Sequence, residues 1–164
     1  MNGIPNIIPD KFKRFLIIAH YDLPPEFNSI SFAIKKALET IEPTIRINKK
    51  YKIFVGKFPI KVPVPPDNGY FIFSVSEKPD EYACAVFDDY IFLDYSQISI
   101  YPFQVQVAHI LEEFVHALMN VTDEVFVKNI VRYLLAPDIE LDRQGRYVLV
   151  PSHNSQNTAE SADS

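Results

Sequence analysis

Apolar residues along this chain alternate between strand-like runs and helix-like spacing. Residues 15–21 form a short continuous apolar run and read as a strand. Over residues 30–41 the spacing becomes helical, with Ile30, Ile34, Ala37, Leu38 and Ile41 on one face. Asn28 or Ser29 is placed to cap that helix, and Glu42-Pro43 ends it. Residues 45–58 read as one or two strands with Lys49-Lys50 as a turn. Residues 61–69, rich in proline, read as an extended loop, and 70–76 as a strand. Residues 82–87 and 90–94 flank Asp88-Asp89 as a tight hairpin. A strand then leads to Tyr101, and Pro102 suits the first turn of the next helix. Thr122 is placed to cap a further helix over 123–136, which Pro137 stops. Arg143-Gln144-Gly145 leads to a last short strand at 147–150. From Pro151 the chain is rich in Ser, Asn, Thr, Ala and Asp, and disorder is expected. The pattern predicts an α+β fold, a small mixed or antiparallel sheet packed against helices. It forms one domain over residues 1–150 with a tail at 151–164.

The helix after Pro102 has the reverse of the usual surface proportions. On a wheel of about 100° per residue, Gln106, His109, Glu112, Glu113, His116 and Asn120 share an arc of roughly 120°. Nearly all the rest of the circumference is apolar, from Val107 and Ala108 to Leu118 and Met119. A helix of this kind is packed on several sides, so its ionisable strip opens into a cleft or a thin band of solvent. Buried titratable groups are costly unless paired or bound to metal, and clusters of them are candidates for function.

Helical rise separates the pairs that can share an ion from those that cannot. His109 and His116 are about 10 Å apart along the axis at roughly 1.5 Å per residue. Zinc–ligand bonds are only about 2 Å, so these two do not chelate one ion. The pairs four apart, His109 with Glu113 or Glu112 with His116, can. In the second register Glu113 lies beside the ion, free to act as a general base. Zinc accepts carboxylate oxygen as well as imidazole nitrogen. Asp123 and Glu124 are candidates for a third ligand, although acids are also favoured in a first helical turn by the macrodipole and by capping. Asp138, Glu140 and Asp142 are further acids downstream, and His109 is placed to bind substrate or to pair with Glu113.

Composition narrows the classes. The chain has 164 residues, is 48% hydrophobic and holds 13 Phe and 9 Tyr, enough for a real core. A net charge of −5 without a basic block argues against a nucleic-acid partner. The single cysteine, Cys84, excludes an internal disulfide and a cysteine metal site. The first ten residues lack a signal-peptide pattern, and no uncharged apolar run reaches the roughly 18 residues of a membrane span. A soluble cytoplasmic protein with no membrane partner is expected.

Glu112-Glu113-Phe114-Val115-His116 resembles the H-E-x-x-H helix of zinc proteases with its first histidine replaced. The resemblance extends to the compact zincin metallopeptidases of the SprT-like and WLM-like kinds. These carry H-E-x-x-H, five residues, a further histidine, a small or acidic residue, and then an aromatic on the next helix. Here the base position is Glu113, the second ligand His116 and the downstream aromatic Phe126, and Pro137-Asp138 matches a Pro-Asp that closes this helix in some of these proteins. The first ligand position holds Glu112 and the third holds Thr122. The likeness covers roughly 45 residues, from the hairpin to Asp138. It implies a zincin-like fold and a divalent ion, zinc first, on Glu112, His116 and an acid at 123 or 124. It further implies Glu113 as general base and an extended peptide substrate aligned on the hairpin strand. Loss of two family ligands raises an alternative, a zincin-like fold without catalysis that serves as an interaction or regulatory module.

Overall fold

A computed structural model describes residues 7–20, 28–64, 69–73, 84–87 and 89–151. A 3-10 turn at Asp10–Phe12 is followed by β1 (Leu16–His20), α1 (Asn28–Ile41), β2 (Tyr51–Gly56), β3 (Ile60–Val64) and β4 (Gly69–Phe73). Next come β5 (Cys84–Phe87), β6 (Tyr90–Asp94), the single-turn helix α2 (Tyr95–Ile98), α3 (Phe103–Met119), α4 (Glu124–Leu134), β7 (Ile139–Leu141) and β8 (Tyr147–Leu149). Four strands form a mixed sheet in the order β1-β2-β6-β5, in which β1, β2 and β6 are parallel and β5 is an antiparallel edge. β3–β4 and β7–β8 are separate antiparallel pairs. The chain is therefore α+β with a small mixed sheet.

Parallel strands need a crossover, and α1 supplies the one between β1 and β2. Interior β2 is buried on both sides from Ile53 to Gly56, so after Lys52 its sequence is an apolar run rather than an alternation. Register sorts the side chains. Ile53 pairs with Ile91 and Val55 with Leu93, and all four are fully buried in the main core. That core also holds Ile34 and Leu38 of α1 and Ile110, Leu111 and Phe114 of α3. Phe54 and Phe92 form a second, smaller cluster, their rings stacked at 5.0 Å and 13°. Helix α3 runs through the middle of the fold. It packs on α1, on β5 and β6, on α4, and on β7 and β8. No helix of the described residues is long and apolar enough to cross a membrane.

Several expectations are corrected. Residues 45–50 form no strand; Ile45 and Ile47 drop singly onto the core between the polar residues Thr44, Arg46 and Asn48. Of the proline-rich segment, Lys61–Val64 belongs to β3, where Pro63 pairs with Tyr70. A two-stranded ladder leaves one side of each strand unpaired, and a residue without an N–H is tolerated there. The strand expected up to Tyr101 gives way to α2, because Asp94 caps it: its Oδ1 accepts from Ser96 N at 2.9 Å and from Ser96 Oγ at 2.6 Å. Helix α4 is capped by Asp123 rather than Thr122. β7 was not foreseen, since three residues after a proline carry no period to read. Residues 74–76, the start of the 82–87 strand and the tail from 152 lie outside the described residues.

One buried hydrogen bond ties the sheet to the end of α3. The Tyr51 hydroxyl donates to the Ala117 carbonyl at 2.8 Å, in the turn of the helix whose carbonyls lack intrahelical partners. Tyr51→Phe keeps the ring and leaves that carbonyl unsatisfied. We expect it to cost about 1–2 kcal/mol in urea denaturation with an unchanged slope. A loss below the error of the method would mean that the carbonyl finds another donor.

Candidate metal centre

The centre is built at the turn between α3 and α4. Asn120 ends α3 in the left-handed region, at φ 55°, a conformation that asparagine adopts more readily than most residues. The chain reverses there and carries the Val121 carbonyl back over the last turn of the helix. That carbonyl lies 2.7 Å from His116 Nδ1. A carbonyl only accepts, so Nδ1 carries the proton in this contact and Nε2 is the nitrogen turned toward Glu124. Nε2 in turn lies 3.5 Å from Glu124 Oε1. Glu124 is held there because Asp123 caps α4, its Oδ1 accepting from Phe126 N at 2.7 Å, which makes Glu124 the first helical residue.

Glu112, His116 and Glu124 each present one ligand atom, and these atoms all lie within 4.8 Å of one another. Ligand atoms around a four-coordinate ion with bonds of about 2 Å are roughly 3–4 Å apart, so small side-chain movements close the set. Two carboxylates and one imidazole neutralise a dication and leave a coordination position open, as in catalytic rather than structural sites. The His116 Nδ1 bond to a backbone carbonyl is the outer support that orients ligating histidines. The donor set fits a divalent ion.

Three of the five residues singled out from the sequence, Glu112, His116 and Glu124, come together here, and Glu113 is near enough to feel the charges of Glu112 and Glu124. Asp123 does not join the ligand group; its carboxylate is engaged as the cap of α4. Phe126 is 57% exposed on α4 and packs against nothing in the centre. Asp142 is engaged in the β7–β8 turn, accepting from Gln144 N, Arg146 N and the Arg146 side chain. The residue that the sequence reading missed is Tyr147. It is buried in β8 and close enough to Glu112 for that carboxylate, after burial itself, to hold its phenol proton on. Its signal was faint, a tyrosine in a short terminal strand.

Crowding of carboxylates shapes the electrostatics. Glu113 is pushed up from 4.5 to about 8 by burial, then by the charges of Glu112 and Glu124. Glu112 is also raised, mainly by burial, with Tyr147 and Lys128 opposing. Glu113 and Glu112 reach Cys84 on β5 as well; burial first, then their charges, push its thiol up. His109 sits between Tyr101, at 4.8 Å, and Tyr147, at 5.5 Å edge-on. Burial, then Lys128, lowers it to about 4. Among the described residues it makes no ion pair with Glu113, contrary to one of the two sequence options. In comparisons with known proteins, no family model, curated protein or solved structure matches the chain.

These shifts fix a pH dependence for protein freed of metal. Glu113 holds its proton longer folded than unfolded, so its stabilising contribution is full below 4.5 and is lost as pH rises to about 8. His109 stays neutral when folded, so its contribution is full above 6.5 and is lost as pH falls to about 4. The two slopes oppose each other between 4.5 and 6.5, and only that of Glu113 acts from 6.5 to 8. Chelator-treated protein should lose about 2 kcal/mol over that upper interval, measured by urea titration. Glu113→Gln should flatten the loss; an unchanged slope in the variant would assign it to another group.

Proposed function

We propose that the chain is a divergent zincin-like metal-dependent hydrolase acting on peptide bonds. The observation that carries this reading is the convergence of Glu112, His116 and Glu124, with His116 Nδ1 engaged by the Val121 carbonyl and Nε2 turned toward Glu124. Glu124 stands in for the family's third histidine, whose sequence position is Thr122. Zinc is the first candidate, and another divalent ion suits a carboxylate-rich set equally well. When bound, the ion supplies Lewis acidity toward a peptide carbonyl and toward water.

Glu113 is placed as the proton carrier. It is the neighbour of one proposed ligand, half-buried, and close enough to Cys84 of β5 to act on its thiol. A carboxyl that titrates near neutral pH is suited to take a proton from water and return it to a leaving amine. A nearby dication favours its ionised form. β5 is an antiparallel edge strand beside α3, so an extended peptide added to it would pass the centre.

A second reading, a catalytically inactive module for protein interaction, has its own support. Val125, Phe126 and Tyr133 of α4 are 72%, 57% and 82% exposed, an apolar surface beside the centre.

Metal analysis of protein purified without chelator decides between the two. We expect about one divalent ion per chain, and zinc, manganese or iron to raise the melting temperature of metal-free protein. His116→Ala and Glu124→Gln should each remove that response. Glu113→Gln should retain the ion and lose hydrolysis of a casein-type substrate by about a hundredfold or more. Metal-free protein whose melting temperature none of these ions moves would refute the enzyme reading.

A further inference from the structure

A cavity of about 310 Å³ opens between the start of α3, α4 and the β7–β8 hairpin. Tyr101, His109 and Tyr147 give it aromatic walls, Lys128 and Arg146 bring cationic groups, and Glu112 joins it to the candidate metal centre. Nothing in the roles assigned above uses it.

Two donors in this cavity await an acceptor. Tyr147 is only 6% exposed; its hydroxyl lies near enough to the Glu112 carboxylate for the two to act on each other, but no acceptor stands at ordinary hydrogen-bonding distance and angle among the described residues. Buried hydroxyls are almost always bonded, so an orphan of this kind points to a missing group. Lys128 Nζ donates to the Gly145 carbonyl at 3.0 Å and has no carboxylate partner among the described residues. An ammonium has three donors, so further bonds remain to be made. Arg146 differs, because Asp142 engages its guanidinium at 2.8 and 2.7 Å and offsets its charge. Glu112 is offset in turn when it holds a cation. Lys128 is then the one uncompensated charge among the lining groups.

The complementary ligand is an anion with two acceptor oxygens and a flat or apolar body. We infer that this cavity binds a carboxylate group of the substrate, held by Lys128 and the Tyr147 hydroxyl, with the adjoining carbons against the rings of Tyr101 and His109. The inference rests on the peptidase reading for its substrate class. It makes the preferred substrate a peptide with a carboxylate next to the reacting bond, either at a chain end or on an acidic side chain. The volume is at the small end of ligand sites, enough for about one residue.

Calorimetric titration of zinc-loaded and of chelated protein tests this with three probes. N-acetylphenylalanine carries a terminal carboxylate, N-acetylaspartate α-amide a side-chain carboxylate, and N-acetylphenylalaninamide none. One or both acids should bind, and the amide should bind about tenfold more weakly than the better acid. The tighter acid identifies the source of the carboxylate. Lys128→Gln and Tyr147→Phe should each weaken the acids about tenfold and leave the amide unchanged. Tyr147→Phe keeps the buried ring, so it remains informative if Lys128→Gln does not fold. An amide that binds as well as the acids overturns the inference. So does an acid whose affinity ignores both variants but vanishes on zinc removal, since it then sits on the ion. If zinc binds to no form of the protein while the acid preference and its dependence on Lys128 persist, the cavity assignment stands and the metal reading fails.

Discussion

The lack of free surface on α3 is the constraint from which the site follows. The helix touches α1, two strands of the main sheet, α4 and the β7–β8 hairpin, and nine of its seventeen residues are buried. Its ionisable residues therefore sit in a strip only partly open to water. Desolvation is the first cause of every large shift there, downward for His109 and upward for Glu112, Glu113 and Tyr147. A surface helix with the same acids would show none of this. The strip is chemically distinctive because of what surrounds the helix, not because of its residues alone.

The end of α3 converts that strip into a directed site. Tyr51 holds the Ala117 carbonyl from the sheet side, and the left-handed Asn120 brings the Val121 carbonyl to His116 from the other. Asp123 then starts α4 so that its first residue is Glu124. Three local devices, a tyrosine hydroxyl, an αL residue and a capping aspartate, set one imidazole nitrogen opposite one carboxylate oxygen. Each is ordinary helix-end chemistry, and together they cost the chain few specialised residues.

What the sequence made legible follows from the range of the signals. The face of α1 with Ile30, Ile34, Ala37, Leu38 and Ile41, the pairing of β5 with β6, and the polar strip of α3 all rest on period, which is local. Helical rise, a fixed length, also puts Glu112 within reach of His116, and the two do lie together. For a further acid the sequence offers Asp123 and Glu124, with Asp138, Glu140 and Asp142 behind them, and no local signal chooses, since the choice depends on which acid caps α4. Thr122 has the better capping reputation by position, yet Asp123 is the residue whose carboxylate reaches Phe126 N. Tyr147 and β7 were out of reach. Their places are fixed by pairing across the turn at Gly145, where φ is 73°, and by packing on α3, neither of which leaves a period in three residues.

Under the proposed reading, Glu112 in place of the histidine of the motif it resembles need not be decay, and the electrostatics of the strip supply the reason. Three carboxylates, those of Glu112, Glu113 and Glu124, act on one another in a partly desolvated place. Without a cation the chain relieves the repulsion by keeping a proton on Glu113. Glu112 and Glu113 stand in a half-buried strip where apolar or neutral residues would pack more stably, whereas Glu124, 67% exposed in the first turn of α4, is favoured there by the macrodipole alone. The charges of Glu112 and Glu124 help raise Glu113, and a dication would relieve that. Under the proposed reading Glu112 and Glu124 would therefore be the two carboxylates of a hard, anionic centre, with His116 as its one imidazole.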